Sequence, residues 1–224
     1  MIKAFILDLD GVITDTADFH FQAWKKCAAS INITLDSTFN EQLKGISRLE
    51  SLERILRSAG RQDDFTAIEK EQLANEKNNF YKSLLLQLTP DYILPGIRQL
   101  LTDIKDAGYK LGLASASKNA PTVLRALEID GIFDGIADPN NVTNGKPAPD
   151  LFLQAAAKLG VRPVECIAIE DAKSGIEAIN EAGMFSVGVG DRAFVQEADF
   201  LTSSTNELSL HSLIKAWQRK NGPE

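Results

Sequence analysis

Ala4-Phe5-Ile6-Leu7-Asp8-Leu9-Asp10-Gly11 places four consecutive apolar residues directly before two acids and a glycine. A short continuous apolar run of this kind reads as a strand buried on both faces, as in a parallel sheet. The pattern recurs at Lys110-Leu111-Gly112-Leu113-Ala114 and at Cys166-Ile167-Ala168-Ile169, with weaker versions at 133–137 and 185–189. Helical stretches lie between these runs. Residues 97–107 carry Ile97, Leu100, Leu101 and Ile104 on one face and stop at Gly108, a common helix terminator. Residues 121–127, 149–159 and 174–182 follow the same logic, two of them starting at a proline and two ending at Gly160 and Gly183. Alternating strands and helices from about residue 90 onward predict an α/β fold with a doubly wound, Rossmann-like parallel sheet.

Residues 15–88 break the alternation. They contain no proline and no convincing strand. Trp24, Cys27, Ala28 and Ile31 fit one helical face, Leu49, Leu52, Ile55 and Leu56 fit another, and residues 65–88 form a long helical pattern. The expected organisation is a catalytic core of residues 1–14 and 90–224 with a small all-helical cap, residues 15–89, inserted after the first strand. An insertion there sits over the strand ends where α/β sheets keep their sites, and lids exclude water.

The 224 residues carry 24 Lys plus Arg against 31 Asp plus Glu, a formal charge of −7. That balance lacks the basic footprint of non-specific nucleic-acid binding, so anionic ligands must be met by local cations, amides or a metal. Two cysteines, Cys27 and Cys166, build no disulfide framework. No apolar run is long enough to span a bilayer, and the first residues do not read as a signal peptide. A cytoplasmic monomer with neither membrane nor nucleic-acid partner is expected.

Two strands end in acids. Asp8 and Asp10, two residues apart, are expected to project together from the first strand, and Glu170-Asp171 ends Cys166-Ile167-Ala168-Ile169. In a parallel sheet these ends share one rim. Four carboxylates crowded together are costly unless a hard cation joins them, and Mg²⁺ takes oxygen ligands. A third strand end, Ser115-Ala116-Ser117-Lys118-Asn119, supplies hydroxyls, amides and a lysine for an anionic oxygen. Lys146 lies in a loop stiffened by Pro147 and Pro149. Nucleophile, cation and oxyanion donors together form the equipment of phosphoryl transfer. Neither a GxxxxGK[ST] loop nor a GxGxxG is present, so no nucleotide is implied, and an aspartate can itself be the nucleophile.

Asp8-Leu9-Asp10-Gly11-Val12 with Thr14-Asp15, then Ser115, Lys146 and Glu170-Asp171, resembles the four motifs of the haloacid dehalogenase superfamily in order, spacing and strand context. The likeness covers essentially the whole chain. Within that superfamily, Asp15-Thr16-Ala17-Asp18-Phe19-His20 with Trp24, Leu43-Lys44-Gly45-Ile46-Ser47-Arg48 with Glu50-Ser51, and Ser115-Ala116-Ser117-Lys118-Asn119 resemble the β-phosphoglucomutases. The resemblance implies Asp8 as nucleophile and Asp10 as acid/base. It implies one Mg²⁺ on the Asp8 carboxylate, the Asp10 main-chain carbonyl and Asp171, with Glu170 nearby. Ser115, the Ala116 amide and Lys146 would hold the transferring phosphate. Arg48, Ser117, Lys118 and Asn119 would grip the distal one, and Lys44, Gly45 and Ser51 would line the cap side. Thr16, His20 and Lys77 would link cap closure to the placement of Asp10. The implied partners are small sugar phosphates, with glucose 1,6-bisphosphate as activating intermediate. A sugar-phosphate phosphatase on the same scaffold is the competing reading. A non-catalytic phosphate-binding protein would be expected to lack Asp8 or Asp10. One local departure is Ala172, where such mutases can carry serine. Lys173 beside it is expected to be an exposed helix-start residue.

Overall fold

The computed structural model of the chain describes residues 1–36, 38–43 and 45–222. Six parallel strands make one sheet: β1 (Ala4–Leu7), β2 (Lys110–Leu113), β3 (Gly135–Ile136), β4 (Cys166–Glu170), β5 (Phe185–Val189) and β6 (Phe200–Thr202). Their order is β3-β2-β1-β4-β5-β6, which puts β1 in the middle and reverses the winding beside it. Five of these strands are the apolar runs of the sequence. β6 is an addition: Phe200-Leu201-Thr202 is too short to stand out by periodicity, and its pairing with β5 makes it a strand.

Alternate residues of the strands face opposite sides, as the pleat requires. Phe5, Leu7, Leu111, Leu113, Ile167 and Ile169 share one buried cluster with α4 (Ile97–Asp106), α5 (Ala120–Ala126) and α9 (Leu210–Asn221). Ala4, Ile6, Cys166 and Ala168 share the other with α6 (Asp150–Leu159), α7 (Lys173–Glu181) and α8 (Arg192–Val195). Helices therefore cover both faces. This explains why the strands read as continuous apolar runs and not as alternating ones.

Between β1 and α4 lie α1 (Ala17–Ser30), α2 (Arg48–Ser58) and α3 (Ala67–Leu85). Ser47 caps α2 by accepting the Glu50 N–H, and a reciprocal Thr66–Glu69 capping box starts α3. Trp24, Cys27, Ala28, Leu52, Ile55, Leu56 and Ala74 pack in a cluster of their own. Leu49 departs from its expected place: it is 46% exposed, and the buried face of α2 is Ser51, Leu52, Ile55 and Leu56. The two connections to the core lie side by side. Thr14 bridges Ile93, Leu94 N–H donates to Ile13 O at 2.9 Å, and Thr14 Oγ1 donates to Tyr92 O at 2.8 Å.

Leu56 is fully buried among the helices inserted after β1. Leu56→Ala should cost about 2–5 kcal/mol, the range for emptying a packed leucine site. Urea unfolding followed by far-UV circular dichroism checks it; a loss below about 1 kcal/mol would show that this cluster is loosely packed.

Candidate active site

Strand register sets the site. Leu7 pairs with Leu113 on one side and Ile169 on the other, so Asp8, Ala114 and Glu170 are neighbours on the C-terminal rim. Asp8 N–H donates to Ile169 O at 3.0 Å and Ala114 N–H to Leu7 O at 2.9 Å, carrying the ladder one residue further. Asp8 and Asp10 line the same cavity, of about 160 Å³. β1 stops at Leu7, and Asp10 follows at the start of a turn in which the Leu9 carbonyl accepts the N–H groups of Ile13 at 2.8 Å and Thr14 at 3.1 Å and Gly11 N–H donates to Thr14 O at 2.7 Å.

Gly11 has φ +80°, and a Cβ on it would lie 2.1 Å from an Asp171 carboxylate oxygen. Only glycine fits that turn beside that acid. Gly175, at the start of α7, is held to glycine in the same way, since a Cβ there would lie 2.1 Å from the Glu170 side chain.

Lys146 is buried at the centre of the rim. Its Nζ donates to Asp8 Oδ1 at 2.6 Å and to Glu170 Oε2 at 2.7 Å. Burial works against its charge, but the two carboxylates outweigh that and hold the ammonium above the ordinary lysine range. Burial and the neighbouring Glu170 push the Asp8 carboxyl up to about 7, against the pull of Lys146. The other Glu170 oxygen accepts the N–H groups of Asp171 at 3.2 Å and Ala172 at 3.1 Å. Asp8, Glu170 and Asp171 bring carboxylate oxygens within 4.8 Å of one another. An all-oxygen donor set in so small a space fits a hard divalent cation. Both oxygens of Glu170 are already engaged, Oε2 by Lys146 and Oε1 by the two N–H groups.

Asp10 is held by Thr16. Its Oδ1 accepts the Thr16 N–H at 3.2 Å and the Thr16 hydroxyl in a short contact. Burial raises its carboxyl above the usual range, against those two bonds. Thr16 Oγ1 also meets the Tyr81 hydroxyl at 2.9 Å. His20 stacks on Tyr81 with ring centroids 4.0 Å apart, and Lys77 Nζ lies 2.8 Å from His20 Nδ1. Lys77 Nζ also sits 4.6 Å above the Trp24 ring. Burial, helped by Arg48, lowers the Lys77 ammonium to about 7. Burial and the nearby Lys77 and Arg48 hold His20 well below its ordinary value, so its imidazole is neutral.

The remaining candidates fall on both sides of the cavity. Ser115 is buried and its Oγ accepts the Ser117 N–H at 3.1 Å. Ala116, Ser117, Lys118 and Asn119 line the cavity beside it. From the helical insertion come Gly45, Arg48 and Ser51. Arg48 Nη1 is 3.4 Å from Asn75 Oδ1, and Ser51 Oγ donates to Ser47 O at 3.0 Å. Lys44 lies outside the described residues. Ala172 is buried, and Lys173 is exposed in an i,i+4 pair with Glu177.

A family model of haloacid dehalogenase-like hydrolases matches residues 2–183. The chain belongs to this family. It is 50% identical to the β-phosphoglucomutase of Bacillus subtilis over 97% of its length and 96% of that protein's. It superposes on the crystal structure of a β-phosphoglucomutase from Clostridium difficile with a TM-score of 0.96 at 50% identity, covering 98% of this chain and 99% of that one. It is also 30% identical to a phosphorylated carbohydrates phosphatase of Thermotoga maritima, over 82% of each chain. Among the described residues, no helix is long and apolar enough to cross a membrane.

For this haloacid dehalogenase-like chain the sequence reading missed Tyr81 and Asn78. Both lie on the buried stripe of α3, which runs Ala74, Lys77, Asn78, Tyr81, Leu84 and Leu85. The available signal was polarity: Lys77 and Asn78 occupy positions where a helix facing only a hydrophobic core would carry apolar residues.

In the unfolded chain Lys77 titrates near 10.5, and in the folded protein near 7. The unfolded state therefore binds the extra proton between those pH values, and stability is lost as pH falls from about 10 towards 7. Lys77→Met should raise the unfolding free energy at pH 7 and change it far less at pH 10. Urea titrations at both pH values check this; an equal change at each would show that folding does not shift the Lys77 titration.

Proposed function

We propose that this chain is a β-phosphoglucomutase, interconverting β-D-glucose 1-phosphate and D-glucose 6-phosphate by phosphoryl transfer through Asp8. The observation that carries the reading is a cavity with a lysine on its core wall and an arginine on its cap wall. Lys118 lines it from the core, as Asp8 does, Arg48 lines it from the helical insertion, and Lys146 is buried against Asp8. A bisphosphate intermediate needs a seat for each phosphate, whereas hydrolysis of a monophosphate needs one. The 50% identity to a β-phosphoglucomutase across nearly the whole chain points the same way, against 30% to the sugar-phosphate phosphatase.

The residues divide the work as follows. Asp8 attacks phosphorus to give an aspartyl-phosphate, and its carboxylate takes up the phosphoryl group as the P–O bond to the leaving sugar oxygen breaks. Asp10, whose carboxyl burial raises above its usual range, gives that oxygen its proton and later removes one from the incoming sugar hydroxyl. Lys146, already on Asp8, turns to the phosphoryl oxygens with Ser115 and the Ala116 amide. Arg48, Ser117, Lys118 and Asn119 hold the phosphate that is not reacting. Gly45 and Ser51 complete the cap wall. Thr16, with His20 and Lys77 behind it, sets the Asp10 carboxyl in place. Mg²⁺ would be held by Asp8, Asp171 and the Asp10 main-chain carbonyl, with Glu170 fixing the segment, and it would offset the charge gathering at phosphorus. Glucose 1,6-bisphosphate fits as the intermediate that must turn end for end. Action in the cytoplasm as a monomer on small sugar phosphates completes the proposal.

The deciding assay supplies β-glucose 1-phosphate, Mg²⁺ and a trace of glucose 1,6-bisphosphate, and follows glucose 6-phosphate and free phosphate together. Accumulation of glucose 6-phosphate is expected; free phosphate as the main product would establish the phosphatase instead. In the same assay Asp8→Ala should abolish turnover while circular dichroism shows an intact fold. Wild-type-like turnover by a folded Asp8→Ala protein would remove Asp8 as the nucleophile.

A second variant separates the two activities. Arg48→Ala should lower mutase kcat/KM by about 1.5–3 kcal/mol, the range for a hydrogen bond to a charged group. Hydrolysis of acetyl phosphate, which has no second phosphate, should fall much less. Equal losses in both reactions would assign Arg48 to the fold or to the core chemistry.

A further inference from the structure

Asn119 stands at the N-cap of α5, yet its side chain makes no capping hydrogen bond there. Asparagine at an N-cap ordinarily folds its oxygen back onto the first free N–H groups of its own helix. Here the side chain is drawn away: Asn119 Nδ2 donates to Asn78 Oδ1 at 2.8 Å, and both residues are buried, at 6% and 7% exposure. Asn78 lies on α3 of the helical insertion and Asn119 in the core at the start of α5, so the bond joins the two parts of the molecule at the cavity that both residues line.

We propose that Asn78 is a positioning residue for the mutase reaction: it holds the Asn119 amide in the orientation that grips the non-reacting phosphate, and does so only while the helical insertion is seated on the core. This rests on the function proposed above. The chemistry is that of a primary amide, which has two N–H donors and one acceptor. Fixing one Nδ2 hydrogen on Asn78 fixes the plane of the group and leaves the second hydrogen as a donor into the cavity. With Asn78 withdrawn, the nearest partners for the Asn119 side chain are the N–H groups of its own helix, and it would turn back to cap them. Two local arrangements thus compete for one side chain, and the position of α3 selects between them. The phosphate gripped is the one that does not react, so its binding is equal in ground and transition states, and its loss appears in KM and not in kcat.

The test uses Asn78→Leu, which preserves volume and removes the acceptor, together with Asn78→Ala, in wild-type and Asn119→Ala backgrounds. The KM for β-glucose 1-phosphate should rise about 3- to 10-fold in either single variant, the worth of one neutral hydrogen bond, with kcat within about twofold. In the Asn119→Ala background the same substitutions should add less than about twofold, because Asn78 acts through Asn119. Acetyl phosphate hydrolysis should be affected less than mutase turnover. An unchanged KM in both single variants, an equal loss in both backgrounds, or an equal loss in acetyl phosphate hydrolysis would each overturn the proposal. A wild-type protein that does not interconvert the two glucose phosphates would overturn the function itself, and this inference with it.

Discussion

A single buried ammonium holds the site together. Lys146 lies between Asp8 and Glu170, 2.6 and 2.7 Å from their oxygens, where two carboxylates without a cation between them would repel at close range in a poorly solvated place. The ion pairs tie three distant parts of the chain to one point: the end of β1, the end of β4 and the loop before α6. Around that point the packing leaves no slack. Gly11 and Gly175 have no room for a methyl group, because Asp171 and Glu170 already fill the space. The same lysine neutralises part of the rim before any metal or phosphate arrives. Such a site is ready for an anionic substrate without being strongly positive, in a protein whose overall charge is −7.

The helical insertion meets the core through both apolar and polar contacts, with Ala23, Tyr81, Leu85 and Leu88 joining the core's own cluster. Its own cluster around Trp24, Leu52, Ile55 and Leu56 keeps the three helices together. At the cavity the buried stripe of α3 adds polar contacts of Lys77, Asn78 and Tyr81 to that apolar burial. Burial of Lys77 carries a cost, visible in its lowered ionisation near pH 7. The stacked His20 and the Trp24 ring partly offset it by facing the ammonium.

Much of this could be read from residue order. The strands of a doubly wound sheet are apolar on both sides, so β1, β2, β4 and β5 announce themselves as runs such as Phe5-Ile6-Leu7 and Ile167-Ala168-Ile169. The acids that end β1 and β4 mark the rim, because parallel strands must finish on the same side. The break in alternation between residues 15 and 88 marks the insertion. Where the reading depended on finer geometry it erred in instructive ways. Leu49 matched a helical spacing but faces solvent, and Phe200-Leu201-Thr202 became a strand only because β5 offered an edge.

Local pattern, then, marked the strands of a doubly wound sheet and the candidate site residues at their ends, because periodicity and strand-end acids are properties of consecutive residues. Tertiary structure alone decided which of those residues meet. Lys146 finds Asp8 across 138 positions, Tyr81 finds Thr16 across 65, and Asn78 finds Asn119 across 41. No spacing rule connects such pairs. Each exists because closing the sheet and seating α3 over its rim buries polar atoms that must then be partnered, and the cost of leaving them unpartnered selects the pairings.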